Sequence, residues 1–487
     1  MTPAQEETAP TMRRKIKSSH IIAFQDGGHR HLRDGEIVWE GNEIIYVGPK
    51  FPGDIDEMID APGKIVTPGF INTHTHLYES PLDKSFVEDR GGRQFYGSGL
   101  FEYLPTRSAA ADPDAARICL AYSMAELIRT GSTTVLEIGS QPDWAVEEAN
   151  KVGMRLYMGQ GFRSGHWKTD DGKAVTYGWD EAAGLAGLER ATKWIEANDG
   201  SSNGRIKGFL SPSQVDTCTE DLLRRSAGVA RSLGVPIALH ASQSVVEFQE
   251  ITRRYGKTPI EWLQSIDFLG PNVILGHAII IAGTSWANYY GDDLAILAAT
   301  ATNVAHCVWV FARRGIVMES FSRYSARGVN MTLGTDTCPQ SMIEGLRWTA
   351  AASKWVDRRT EGATAADVFN AATINGAKAL GRDDLGRIAP GCKADMLIWD
   401  GDSIFMTPLR DPVKNIVYSA QAEDLRDVVI DGEFRMRDRV IPGVDPIALA
   451  RDLQIAAQTM WDKMAQVDHA GRTVDQLSPL SFPTWNS

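Results

Sequence analysis

Ten histidines occur in the 487 residues, and five of them fall at the ends of apolar runs, where an imidazole needs a reason to be. His74 and His76 close F-I-N-T-H-T-H, His240 closes V-P-I-A-L-H, His277 closes V-I-L-G-H and His306 closes T-N-V-A-H; Asp336 ends N-M-T-L-G-T-D. Alternate residues of an extended strand point to one side, so the rings of His74 and His76 face the same way. Imidazoles converging with one carboxylate suit Zn²⁺ or a similar divalent ion. One His at a strand end is more often a hydrogen-bonded packing residue, and an isolated His-x-His could be a surface accident. The combination of His-x-His with single His and G-T-D at later strand ends is what points to a metal. His20, His29, His31, His166 and His469 lie outside this pattern and receive no catalytic role.

For these groups to meet, their strands must be parallel and share one end. The middle of the chain provides such strands: VTPGFINTHTH, STTVLEIG, MRLYMGQ, IKGFLSPS, VPIALHAS, VILGHA, TNVAHC and VNMTLGTD. Between them lie helical patterns ending in Gly, such as DAARICLAYSMAELIRTG and EDLLRRSAGVARSLG. Eight such βα units predict an α/β fold, a (β/α)₈ TIM barrel, whose strand C-termini open on a single face. Both chain ends differ in texture. IIAF, GEIVWEG and EIIYVG precede the barrel; ADMLIWDGD, NIVYSA and DVVIDGEFRMRDRVI follow it, with Asp431-Gly432 as a hairpin turn. The expected organisation is a disordered lead-in at 1–11, a small β-sandwich-like domain from 12–65 and 386–445, the barrel at 66–385, and a C-terminal helix and tail at 446–487. The long loop 77–109, rich in Gly, Arg and aromatics, is expected to cover the active site. Tyr78, Glu79, Arg90, Arg93 and Tyr96 are its candidates for substrate contact, although such residues are more often exposed or structural.

A formal charge of −12 with no basic run argues against nucleic acid as a partner. No run of about 18 apolar residues is present, so no membrane span is expected. The polar N-terminus lacks the apolar core of a secretory signal. Five widely spaced cysteines without a C-x-x-C pair read as reduced thiols, hence a cytoplasmic protein. A homo-oligomer is the default expectation.

At these motifs the chain resembles the amidohydrolase superfamily, in the branch of triazine hydrolases and cytosine-, guanine- and adenosyl-type deaminases. V-T-P-G-F-I-N-T-H-T-H-L is similar to that branch's first-strand signature, G-V-P-I-A-L-H-A-S-Q to its fifth and V-I-L-G-H-A to its sixth. N-V-A-H-C and G-V-N-M-T-L-G-T-D resemble the seventh and eighth strands, and D-L-G-R-I-A-P-G-C-K-A-D-M-L-I-W-D the return into the small domain. The resemblance implies one ion held by His74, His76, His240 and Asp336, with His277 orienting and polarising the reacting group. Strand four ends in S-P-S-Q without the lysine of two-metal relatives, which favours a single ion. Zn²⁺ is the first expectation, ahead of Fe²⁺, Co²⁺ or Mn²⁺.

Three departures bear on the reaction. Deaminases of this branch carry Glu three residues after the strand-five His, and here that residue is Gln243. Their strand-four His is replaced by Ser211-Pro212-Ser213-Gln214. Cys307-Val308-Trp309 stands where the family has Pro and Ser-Asn. An amide can hold a hydrogen bond but cannot shuttle a proton at neutral pH. The expected activity is therefore hydrolysis of a non-peptide C–N bond (amide, urea or carbamate) of a small molecule. Asp336 would serve as base and acid, His277 would stabilise developing charge, and Gln243 would orient the substrate. Tyr78, His306 and Trp309 are further candidates for substrate contact, and Trp309 could equally be a packing residue. The alternatives are a deaminase or dehalogenase of a heterocycle and, in another class, a non-catalytic barrel used for binding.

Overall fold

The computed structural model describes residues 12–86, 95, 96 and 98–485. The expected lead-in 1–11 and the loop candidates Arg90 and Arg93 lie outside them. Four strands open the chain: β1 (Arg13–Gln25), β2 (Gly28–Glu40), β3 (Glu43–Gly48) and β4 (Glu57–Pro68). The β1–β2 turn is Asp26-Gly27, both left-handed at φ 51° and 75°, the conformation a two-residue hairpin needs.

The barrel strands follow: β5 (Phe70–Thr75), β6 (Ser132–Gly139) and β7 (Arg155–Phe162). A two-stranded ribbon, β8 (Gly165–Lys168) and β9 (Thr176–Trp179), precedes the short fourth position, β10 (Ile206–Gly208) with β11 (Ser211–Pro212). Next come β12 (Ile237–Ala241), β13 (Val273–His277), β14 (Asn303–His306) and β15 (Asn330–Leu333). The chain then returns through β16 (Met396–Asp400), β17 (Leu425–Ile430) and β18 (Glu433–Met436).

The order β10-β7-β6-β5 forms one parallel arc and β12-β13-β14-β15 the other. Parallel bridges Leu210–Ile237 and Thr75–Asp336 join the arcs on both sides, so eight strand positions close into a TIM barrel. Ile71, Leu136, Tyr157, Phe209, Ala238, Ile274 and Ala305 fill its interior. Such a packed barrel leaves its strand ends, not a central channel, for chemistry.

Both chain ends join in one seven-stranded sheet, β18-β17-β16-β4-β1-β2-β3, closed over Ile16, Ile37, Trp39, Val66, Met396 and Ile398. Arg155 of β7, 1% exposed, ties this sheet to the barrel. Its Nε and Nη2 each donate to Asp395 at 3.0 Å, and Nη2 also reaches Asp431 at 3.1 Å.

Three segments differ from the sequence reading. VTPGFINTHTH is two strands, because Val66–Pro68 pair with β16 in the small sheet and the chain turns at Gly69 before β5. A Cβ at Gly69 would stand 2.0 Å from Thr133 Oγ1. IKGFLSPS likewise breaks between β10 and β11. NIVYSA is not a strand: Asn415–Tyr418 belong to the helix Pro412–Tyr418, started by Pro412 and by Asp411 accepting from the Lys414 N–H. The turn at Asp431-Gly432 does form a hairpin, with φ 56° and 80°.

A 22-residue helix, Pro446–Val467, packs Leu453, Ala456, Met460 and Met464 against Leu82, Phe86 and Tyr103 of the segment after β5. Among the described residues no helix is long and apolar enough to cross a membrane.

Candidate metal centre

The strand ends bring the expected residues together. Two groups of ligand atoms, His74/His240/His277 and His74/His76/Asp336, each lie within 4.8 Å of one another and share His74. Asp336 Oδ1 stands 3.5 Å from His76 Nε2 and 3.9 Å from His74 Nε2, while Oδ2 faces His277 Nε2 at 3.6 Å. Its backbone, at φ 61°, is in the left-handed region that few side chains adopt. Reciprocal backbone bonds hold it there: Asp336 N–H donates to His74 O at 2.9 Å and His76 N–H to Asp336 O at 2.7 Å.

The tautomers follow from the partners. His76 Nδ1 donates to Ile138 O at 3.0 Å and His240 Nδ1 to Ser213 O at 2.6 Å. A carbonyl can only accept, so both rings present a lone pair at Nε2. These two Nε2 atoms lie 3.1 Å apart, a repulsive arrangement unless a proton or a cation lies between them. Burial pushes His76 and His240 down to about 4 and His74 and His277 well below the usual histidine range, which removes the proton at neutral pH. Both nitrogens of His74 are buried without a hydrogen-bond partner. Zn–N bonds of about 2.0–2.1 Å in a tetrahedron place nitrogens roughly 3.3 Å apart, close to what is found here. The donor set therefore fits a divalent ion of the zinc type.

Around this cluster burial also pushes Asp336 up to about 6 and Glu137 up to about 8. Gln243 is 4% exposed, with its Nε2 lacking a partner, and lines a pocket with Phe95, Tyr96, Ile280, Trp286 and Ile316. Its backbone is fixed by Glu247, which accepts from the Ser242 N–H at 2.5 Å and the Gln243 N–H at 3.2 Å.

The other candidates occupy varied places. Tyr78 is half-buried and packs against the main apolar core. Its neighbour Glu79 is paired with Arg107 at 2.8 Å. Arg107 also holds Asp83 at 2.6 Å. Tyr96 is 45% exposed. His306 is buried, pushed to about 4 by desolvation, and belongs to neither ligand group. Trp309 packs against Trp348, the rings tilted by 32° with 5.2 Å between their centres. The aromatic that meets the cluster is Phe311, edge-on to His277 at 4.6 Å. Sequence reading missed Phe311, and also missed Glu137, whose only signal was a carboxylate near the end of the apolar strand S-T-T-V-L-E-I-G.

The model of the amidohydrolase family matches residues 65–435. The chain belongs to the amidohydrolase family. As such it is a metal-dependent hydrolase acting on carbon–nitrogen bonds. This amidohydrolase is 27% identical over 450 residues to the 5'-deoxyadenosine deaminase of Methanosarcina mazei, covering 91% of this chain and 98% of that one. It is 29% identical over 427 residues to the 5-methylthioadenosine/S-adenosylhomocysteine deaminase of Thermococcus kodakarensis, covering 86% and 93%. Its fold matches a zinc-bound adenosine deaminase of Xanthomonas campestris at TM-score 0.79, with 20% identity, over 93% of this chain and 99% of that one. It matches zinc-bound atrazine chlorohydrolase of Arthrobacter aurescens at TM-score 0.77, with 20% identity, over 91% and 100%.

Proposed function

We propose that this amidohydrolase cleaves an amide, urea or carbamate C–N bond of a small uncharged molecule. One Zn²⁺ per subunit would be held by His74, His76, His240 and Asp336. The ion would supply Lewis acidity, lowering the pKa of water toward about 7. Asp336 turns Oδ1 toward His74 and His76 and leaves Oδ2 for proton traffic. It would take the proton of the attacking water on Oδ2 and deliver it to the departing nitrogen, giving an acid or CO₂ and a free amine. His277, neutral and beside that oxygen, would hydrogen-bond the carbonyl oxygen as charge develops on it. Phe311 packs edge-on against that ring.

The observation that carries this reading is Gln243. Its neutral amide stands three residues after His240, the sequence position at which the family's deaminases carry a proton-shuttling Glu. The nearby carboxylates Glu137 and Glu247 are already accepting backbone N–H bonds. An acyl C–N substrate needs no second shuttle, and the free Gln243 Nε2 can donate to its carbonyl or ring. The buried, unpaired cysteines support a cytoplasmic setting, and a homo-oligomer is part of the same proposal.

A second reading, deamination or dehalogenation of a heterocycle, is favoured by the names of the relatives. Gln243→Glu separates the two when kcat/KM is measured on an amide and carbamate panel and on an aminoheterocycle panel. We expect no gain on either panel, because the added carboxylate has no role in acyl cleavage. A gain of about tenfold or more confined to aminoheterocycles would promote the second reading.

A further inference from the structure

Strand β5 changes register where it delivers its histidines. Its partners along β6 run Ile71–Thr134, Asn72–Val135 and then Thr75–Glu137. That is three steps on β5 against two on β6, so the extra residue falls at Thr73–His74. A bulge of this kind breaks the ladder and re-aims the side chains after it. The Asp336 backbone holds the His74–His76 segment on one side, but on the β6 side the ladder is interrupted between Asn72 and Thr75, and that flank needs a restraint of its own.

Glu137 is placed to be that restraint. It is fully buried. Its Oε2 accepts from the Thr75 hydroxyl at 2.8 Å, and both of its oxygens lie 3.0 Å from the Leu77 N–H. Thr75 and Leu77 flank His76 on either side. The next residue of β6, Ile138, takes the His76 Nδ1–H on its carbonyl. One short piece of β6 thus grips the backbone around His76 and the ring itself.

We propose that Glu137 is a positioning residue for the metal centre: it locks the bulged end of β5 so that His74 and His76 converge, and it thereby sets how tightly the ion is retained. The inference rests on His74 and His76 being ligands. In Glu137→Gln one of the two oxygens that lie against the Leu77 N–H becomes an N–H donor, which weakens the hold on that amide. Partners of this type behind a metal ligand change metal affinity by about 10–100-fold when lost.

The test loads wild type, Glu137→Gln, Thr75→Val and His74→Ala with Zn²⁺ and follows its release to a colorimetric chelator. The melting temperature of each is taken metal-free and metal-loaded. Glu137→Gln should release zinc at least about tenfold faster than wild type, and Thr75→Val should shift the same way by less. Equal losses of melting temperature in both forms with a wild-type release rate would reduce Glu137 to a packing role and overturn the proposal. If Glu137→Gln does not fold, Thr75→Val decides: a wild-type rate overturns the proposal. His74→Ala keeps the two failures apart, since stoichiometric zinc in that variant would sink the ligand reading itself.

Discussion

Removing the ion from this protein should cost stability that can be calculated in advance. The lone pairs of His76 and His240 face each other at 3.1 Å, and both nitrogens of His74 are buried without hydrogen-bond partners. The folded chain therefore holds a preformed ion site that the unfolded chain lacks. With free zinc at about a thousandfold above Kd, binding to the folded state alone contributes about 4 kcal/mol. Unfolding entropy of about 2.1 cal/mol/K per residue gives roughly 1 kcal/mol/K for 487 residues, so chelation should lower the melting temperature by about 4 °C. Differential scanning calorimetry with and without a chelator, alongside metal analysis, measures this. His74→Ala and His240→Ala should stay folded, lose the metal and turnover, and lose the difference between the two scans. Wild type that carries stoichiometric metal yet melts identically in chelator would refute the argument, and so would a variant that keeps the full difference.

His277→Ala should keep its metal and lose turnover by about two to four orders of magnitude, the range for a positioned polarising or proton-transferring group; a parallel fall in metal content would make it a ligand. Arg155→Ala should leave Asp395 a buried carboxylate without its cation and Asp431 with only the longer Arg205 contact at 3.8 Å, and cost about 3–5 kcal/mol. Urea unfolding checks this, and a loss below about 1 kcal/mol would mean that the two domains do not depend on this link.

Much of the site was legible because an imidazole at the end of an apolar strand is a local anomaly, and a parallel barrel gathers such anomalies on one face. His74, His76, His240, His277 and Asp336 needed no long-range information beyond eight alternating units. What escaped the sequence depends on contacts between distant segments. Gly69 looks like one more residue of a strand until Thr133 is packed against it. The N-I-V-Y run has the texture of a strand, yet the Asp411-Pro412 start signal and its packing made it helical. Phe311 could not be told from Trp309, because a short helix, Val308–Ala312, decides which ring meets His277. Glu137 was invisible as a site residue because its purpose lies in the bulge of a neighbouring strand.

The most direct test of the central claim is the product of the wild-type, zinc-loaded enzyme. Amides, ureas, carbamates and aminated heterocycles are incubated with it and every product is identified by mass spectrometry, with ammonia assayed in parallel. The account predicts cleavage of an acyl C–N bond, seen as a free amine together with an acid or CO₂, and the loss of that activity when His240→Ala is substituted. Release of ammonia from an aminated ring, with no turnover of any acyl compound, would contradict it.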